Sequence, residues 1–192
     1  EPRIGANGAG CASQYPVDPA VPRRMTGVNP VQDSPFLNLR KLAVGNPVVT
    51  SSVMVRKSVV KEVGGFDERF RGPEDYDLWL RLVSKHRCAR LDAPLVRYRN
   101  ARGSLSMDER KFLPEVLRVL DKAYGDGGAL EGLRCYERQA RAHQYAGASW
   151  MAYCRGARVA ALGLLARSLA SCAWTPGGER WKLWARYLMS HN

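Results

Sequence analysis

In the stretch GGFDERFRGPEDYDLWLRL, Gly64 to Leu82, a chain with a large excess of positive charge places its densest acidic cluster. Glu74 and Asp75 follow Pro73 directly, at a position the pattern marks as the start of a helix. Backbone N–H groups there have no intrahelical acceptor, and together with the positive end of the helix dipole they favour ionised carboxylates. A carboxylate so placed can simply cap the helix. It can also take a proton from a hydroxyl held within about 2.6–3.2 Å. The residues alone leave both readings open. Asp77 stands four positions before Arg81, the spacing of a helical ion pair, which on an exposed helix is worth about 0.3–0.5 kcal/mol.

The elements that would position this cluster are legible in outline. Residues 1–35 are rich in Gly, Pro, Ala and Ser and read as irregular connection. SPFLNLRKLAVG, Ser34 to Gly45, combines a cap candidate, a first-turn proline, periodic apolar residues and a closing glycine, which predicts a short amphipathic helix. PVVTSSVMVRK is β-branched and partly alternating and predicts a strand. SVVKEVGG predicts one or two helical turns stopped by Gly64 and Gly65, and a further helix runs from Pro73 to about Lys85. ARLDAPLVRYRN predicts a second strand broken by a turn, so residues 35–107 alternate helix and strand in the manner of an α/β sheet protein.

Beyond residue 107 the texture is helical throughout. Met107 to Ala123 forms one helix, Gly125 to Gly128 a break, Leu130 to Cys172 a pair of helices, and TPGGERWKLWARYLM a last one. Two parts follow from this: residues 1–107, α/β, and residues 108–192, a helical tail. Small residues at Ala146, Ala157, Ala161 and Pro176 are spaced as in one tetratricopeptide unit, but a single unit cannot bury its own face. A helical hairpin packed on the first part is the expectation.

Of the 192 residues, 45% are hydrophobic and 25% charged, the composition of a chain that builds a core. Thirty Lys and Arg against 18 Asp and Glu give +12 and a pI near 9.9, which favours anionic contacts without choosing among them. Cys11, Cys88, Cys135, Cys154 and Cys172 are odd in number and scattered, indicating neither a disulfide framework nor a zinc site and fitting a reducing, cytoplasmic setting. The longest apolar run, Val159 to Ala166, is far short of the roughly 20 residues that cross a bilayer. The chain opens on Glu1 with no signal-peptide pattern, which reads as a fragment or a processed product. No helix-turn-helix, zinc spacing or aromatic-interleaved basic strand marks a nucleic-acid binder.

Taken as one ordered set, the stretch NPVVTSSVMVRKSVVKEVGGFDERFRGPEDYDLWLRLV followed by LVRYRNARGSLS resembles the C-terminal half of the catalytic domain of family-2 glycosyltransferases, the inverting enzymes of GT-A type. The matching parts are the Thr-Ser-Ser strand, the Gly-Gly-Phe-Asp-Glu turn, the Glu-Asp pair opening a helix, the Leu-x-x-Arg within it, and the Tyr-Arg strand leading to Ser-x-Ser, over roughly residues 36–107. The resemblance implies a partial GT-A, Rossmann-like fold followed by the helical tail. It implies transfer of a sugar from a nucleotide-sugar donor to a hydroxyl acceptor with inversion, in the synthesis of a cell-surface polysaccharide or glycolipid. Asp75 becomes the catalytic base, and Glu74 either orients that base or hydrogen-bonds to the acceptor. Trp79 becomes a core anchor or a stacking wall for a sugar, and Arg81, Arg97 and Arg99 become candidates for the substrate side.

Two departures accompany the resemblance. Many relatives carry a histidine shortly after the Tyr-Arg pair, where this chain has Asn100 and Ala101, and His86, His143 and His191 lie elsewhere without ligand spacing. The family's donor half, with its metal-binding Asp-x-Asp, precedes the matched stretch and is not found upstream of it in this sequence, where Asp18 and Asp33 stand alone. A divalent cation, Mn²⁺ or Mg²⁺, is expected of the family, yet no ligand set for it is visible, and the chain by itself is expected to be inactive. The alternative is a catalytically silent remnant acting as a basic module. Residues 129–192 carry nine basic against three acidic side chains, with Trp181, Trp184, Tyr187 and Leu188 spaced as one face of a helix, a combination suited to a protein or to an anionic membrane on its cytoplasmic side.

Overall fold

The computed structural model describes residues 36–90, 96 and 108–172. Six α-helices succeed one another: α1 (Leu39–Val44), α2 (Lys57–Glu62), α3 (Glu74–Lys85), α4 (Glu109–Tyr124), α5 (Glu137–Cys154) and α6 (Arg158–Ser171), with 3-10 turns at Thr50–Ser52 and Glu131–Tyr136. Among the described residues there is no β-strand. The one pairing of that kind is an isolated antiparallel bridge between Phe36 and Ala89.

The α/β, Rossmann-like expectation is therefore overturned for the described residues. The stretch predicted as the first strand, from Pro47, is interrupted at Thr50–Ser52. There the Ser52 amide and the Ser52 hydroxyl both donate to the Val49 carbonyl, at 2.8 and 2.7 Å. Alternating β-branched residues favour extended dihedrals, but a strand also needs a partner ladder, and short hydroxyl side chains offer the backbone a local turn instead. The second predicted strand, with Arg97 and Arg99, and the predicted last helix lie almost wholly outside the described residues.

Helix α1 starts four residues later than the Ser34 cap predicts, because the Asn38 side chain accepts the Arg40 N–H at 2.8 Å. Its last carbonyls lack helical donors and are satisfied from two other helices. The Tyr76 hydroxyl of α3 donates to Leu42 O at 2.5 Å, and the Tyr124 hydroxyl of α4 donates to Ala43 O at 2.8 Å. Burial pushes both phenols well above their ordinary pKa. Leu42, Ala43, Tyr76, Leu78, Trp79, Leu80, Leu82, Val116, Val119, Leu120 and Leu130 join one hydrophobic core that runs across residue 108. Each fully buried leucine or valine there contributes about 1.5–3 kcal/mol.

Helices α5 and α6 form the expected hairpin, and α5 rests on α1 and α4. Ala142, Ala148, Ala152 and Ala161 let the two backbones approach closely. Ser149 and Ser168 donate across the hairpin to the Ala161 and Ala142 carbonyls at 2.7 and 2.6 Å. No helix among the described residues is long and apolar enough to cross a membrane.

Candidate active site

Helix α2 ends in a glycine pair, Gly64 at φ +86° and Gly65 at φ +71°, the left-handed conformation that side chains resist. The Gly65 N–H closes the turn on Val60 O at 2.9 Å. The chain then loops to Pro73 and enters α3 with Glu74, Asp75 and Asp77 in the first turn, as the sequence predicts. Glu74 is drawn backwards: its carboxylate accepts the Gly72 N–H at 2.5 Å, tying the loop to the helix start.

Asp75 projects toward the segment between α1 and α2. The Thr50 hydroxyl donates to its Oδ2, and Asn46 Nδ2 lies 3.5 Å from its Oδ1. Asn46 is itself oriented by the Val48 N–H, which donates to its side-chain oxygen at 3.0 Å. None of the ion pairs among the described residues involves Asp75. Burial raises its pKa above the usual carboxylate value; the Thr50 hydrogen bond opposes that shift and the neighbouring Glu74 charge adds to it. A carboxylate half-withdrawn from water and held by neutral donors is a stronger base than a salt-bridged one.

Asp77 has the opposite surroundings. It is 2% exposed and accepts Arg81 Nε at 2.9 Å, a second Arg81 nitrogen at 2.6 Å and Lys122 Nζ of α4 at 2.7 Å. The predicted i,i+4 pair forms, but it is buried and doubled by Lys122, so the expectation of a few tenths of a kcal/mol for an exposed pair does not apply. Arg81 also donates to the carbonyls of Val63 and Gly65, the latter at 2.7 Å. Four of its five N–H donors are thus committed to α3 and the glycine turn.

Trp79 is 5% exposed within the core, its indole N–H without a hydrogen-bond partner among the described residues. The structure therefore places Glu74 and Asp75 at the start of α3, turns Arg81 toward Asp77 and the glycine turn, sinks Trp79 into the core, and leaves Arg97 and Arg99 outside the described residues. Sequence reasoning missed Asn46, Thr50 and Lys122. The first two lie inside the quoted NPVVTSS segment, Thr50 within the predicted strand and Asn46 just before it, whereas Lys122 carries no local signal. No group of three His, Cys, Asp or Glu side chains capable of holding a metal ion occurs among the described residues.

No curated protein and no solved structure matched this chain. A family model, glycosyltransferase like family 2, matches residues 39–147, more than half of the chain, including the Gly-Gly turn, Glu74, Asp75, Arg81 and Lys122. The chain therefore belongs to glycosyltransferase-like family 2.

Proposed function

We propose that this chain supplies the acceptor side of an inverting glycosyltransferase and that Asp75 is its general base. The observation that carries the reading is the setting of Asp75, a half-buried carboxylate at a helix start, held by Thr50 and Asn46 and in no ion pair among the described residues. As an acceptor hydroxyl attacks the anomeric carbon of a nucleotide-sugar, its O–H bond must break. A carboxylate with a raised pKa takes that proton at neutral pH more readily than an ordinary one. The new C–O bond forms as the bond to the diphosphate breaks, with no enzyme nucleophile, so the configuration at the anomeric carbon inverts. Glu74, bonded to the Gly72 N–H, holds the loop before α3 and keeps a negative charge beside Asp75 that favours its protonated product state.

The divalent cation implied by the family does not fit the described residues. Asp75 is taken up by neutral donors, Glu74 by a backbone N–H, and no third ligand stands near. The same proposal takes the donor to be a nucleotide-sugar and sets the reaction in cell-surface polysaccharide or glycolipid synthesis, in the cytoplasm or on the inner face of the membrane.

The test is stereochemical. With the donor-binding half joined ahead of this chain, a panel of nucleotide-sugars of known anomeric configuration is offered to hydroxyl acceptors and the product linkage is read by NMR. Inversion is expected; retention would refute the mechanism.

A further inference from the structure

We infer that Lys122, on α4 and far from the Glu-Asp motif in sequence, is a positioning residue that sets the rotation of α3 and hence the direction of Asp75. This rests on the assignment of Asp75 as base. Residues two apart on an α-helix lie about 200° apart around its axis, so Asp75 and Asp77 leave α3 on nearly opposite sides. Any rotation of the first turn moves both.

Lys122 Nζ meets Asp77 Oδ1 at 2.7 Å and Asp67 Oδ2 at 2.9 Å. It therefore joins three segments at one point: α4, the first turn of α3, and the Phe-Asp-Glu turn. Arg81 completes the clamp by binding Asp77 and the Val63 and Gly65 carbonyls. On the other side of the helix Asp75 meets no cation among the described residues: the Thr50 hydroxyl donates to it and the Asn46 amide lies 3.5 Å away. The cationic side is the rigid one and determines where the neutral side points.

The charge arrangement makes the idea separable from simple stability. Asp67 keeps Arg69, bonded to it at 2.7 and 2.9 Å, and Asp77 keeps Arg81. Removing the Lys122 charge strands neither carboxylate, so Lys122→Met is expected to fold.

Hydrogen exchange on the chain itself is the first measurement. In Lys122→Met, the amides of Asp77 to Leu80 are expected to exchange about tenfold faster, while those of the α5–α6 hairpin stay unchanged. Lys122→Arg, able to bridge the same two carboxylates, restores protection. Uniform acceleration across all helices, or none in α3, would overturn the clamp. In the protein carrying the donor half, Lys122→Met lowers kcat about tenfold with the acceptor KM within about twofold, and Lys122→Arg recovers it. Unchanged turnover in Lys122→Met, in a preparation where Asp75→Asn is silent, would remove the positioning role. Turnover by Asp75→Asn at the parental rate would instead refute the base assignment, leaving the exchange data to decide the clamp.

Discussion

Asp75 and Asp77 stand two residues apart in one helical turn, and the molecule treats them in opposite ways. Asp77 is enclosed by Arg81 and Lys122 and tied through them to the glycine turn and to α4. Asp75 is given a hydroxyl and an amide, with burial raising its pKa. The carboxylate that ties helix to helix is matched with cations, which keep it occupied. The carboxylate proposed to accept a proton meets no cation among the described residues, which keeps it basic.

The contrast is most directly broken at Asp75. Asp75→Asn preserves shape but cannot take a proton, so turnover is expected to fall about 10²–10⁴-fold while the far-UV circular dichroism stays parental. A variant that turns over within a few-fold of the parent would reduce Asp75 to a helix cap.

Next in size is the structural carboxylate. Asp77→Asn removes charge-assisted bonds to both Arg81 and Lys122, with an expected loss of about 1.5–3 kcal/mol in urea unfolding. Turnover per folded molecule should fall far less than in Asp75→Asn. Equal rate losses at the two positions would erase the division of labour.

The pH dependence sharpens the comparison further. The folded pKa of Asp75 is raised above its value of about 3.9 in the unfolded chain, so the native state holds the proton more tightly. The stability it contributes is present below the unfolded value and is lost as pH rises through the folded one. Asp75→Asn escapes that loss, so its unfolding midpoint should gain on the parent between about pH 4 and neutrality. A gain in the opposite direction would mean that the carboxylate stabilises the helix start. Asp67 is the converse case: Arg69 first, then Lys122, hold its carboxyl well below the usual range, and its contribution should fade only as the solution becomes strongly acidic.

The smallest effect is expected at Glu74. Glu74→Gln retains an oxygen for the Gly72 N–H, and initial rates should stay within about tenfold of the parent, well short of the Asp75→Asn loss.

What could be read from the sequence here was whatever is local. Proline followed by acidic residues starts α3, paired glycines end α2, four-residue spacing joins Asp77 to Arg81, and Gly125 to Gly128 separates α4 from the hairpin. Each follows from dihedral limits, dipole or helical period within a few residues, and the helices after residue 108 were anticipated on the same grounds. The ordered motif also pointed to the family that the match over residues 39–147 shows. The strand at Pro47 was misjudged because a β-branched pattern states a preference for extended backbone, whereas pairing depends on a distant partner that no window of sequence contains. For the same reason Thr50 and Asn46 became partners of Asp75, Lys122 closed on Asp67 and Asp77, and Trp79 sank into the core only when the helices packed. The residue types and their spacing determined that a carboxylate would stand at the start of α3. Tertiary structure decided which of the neighbouring carboxylates would be neutralised by cations and which left basic, because burial and charge pairing are set by segments that meet only in the fold.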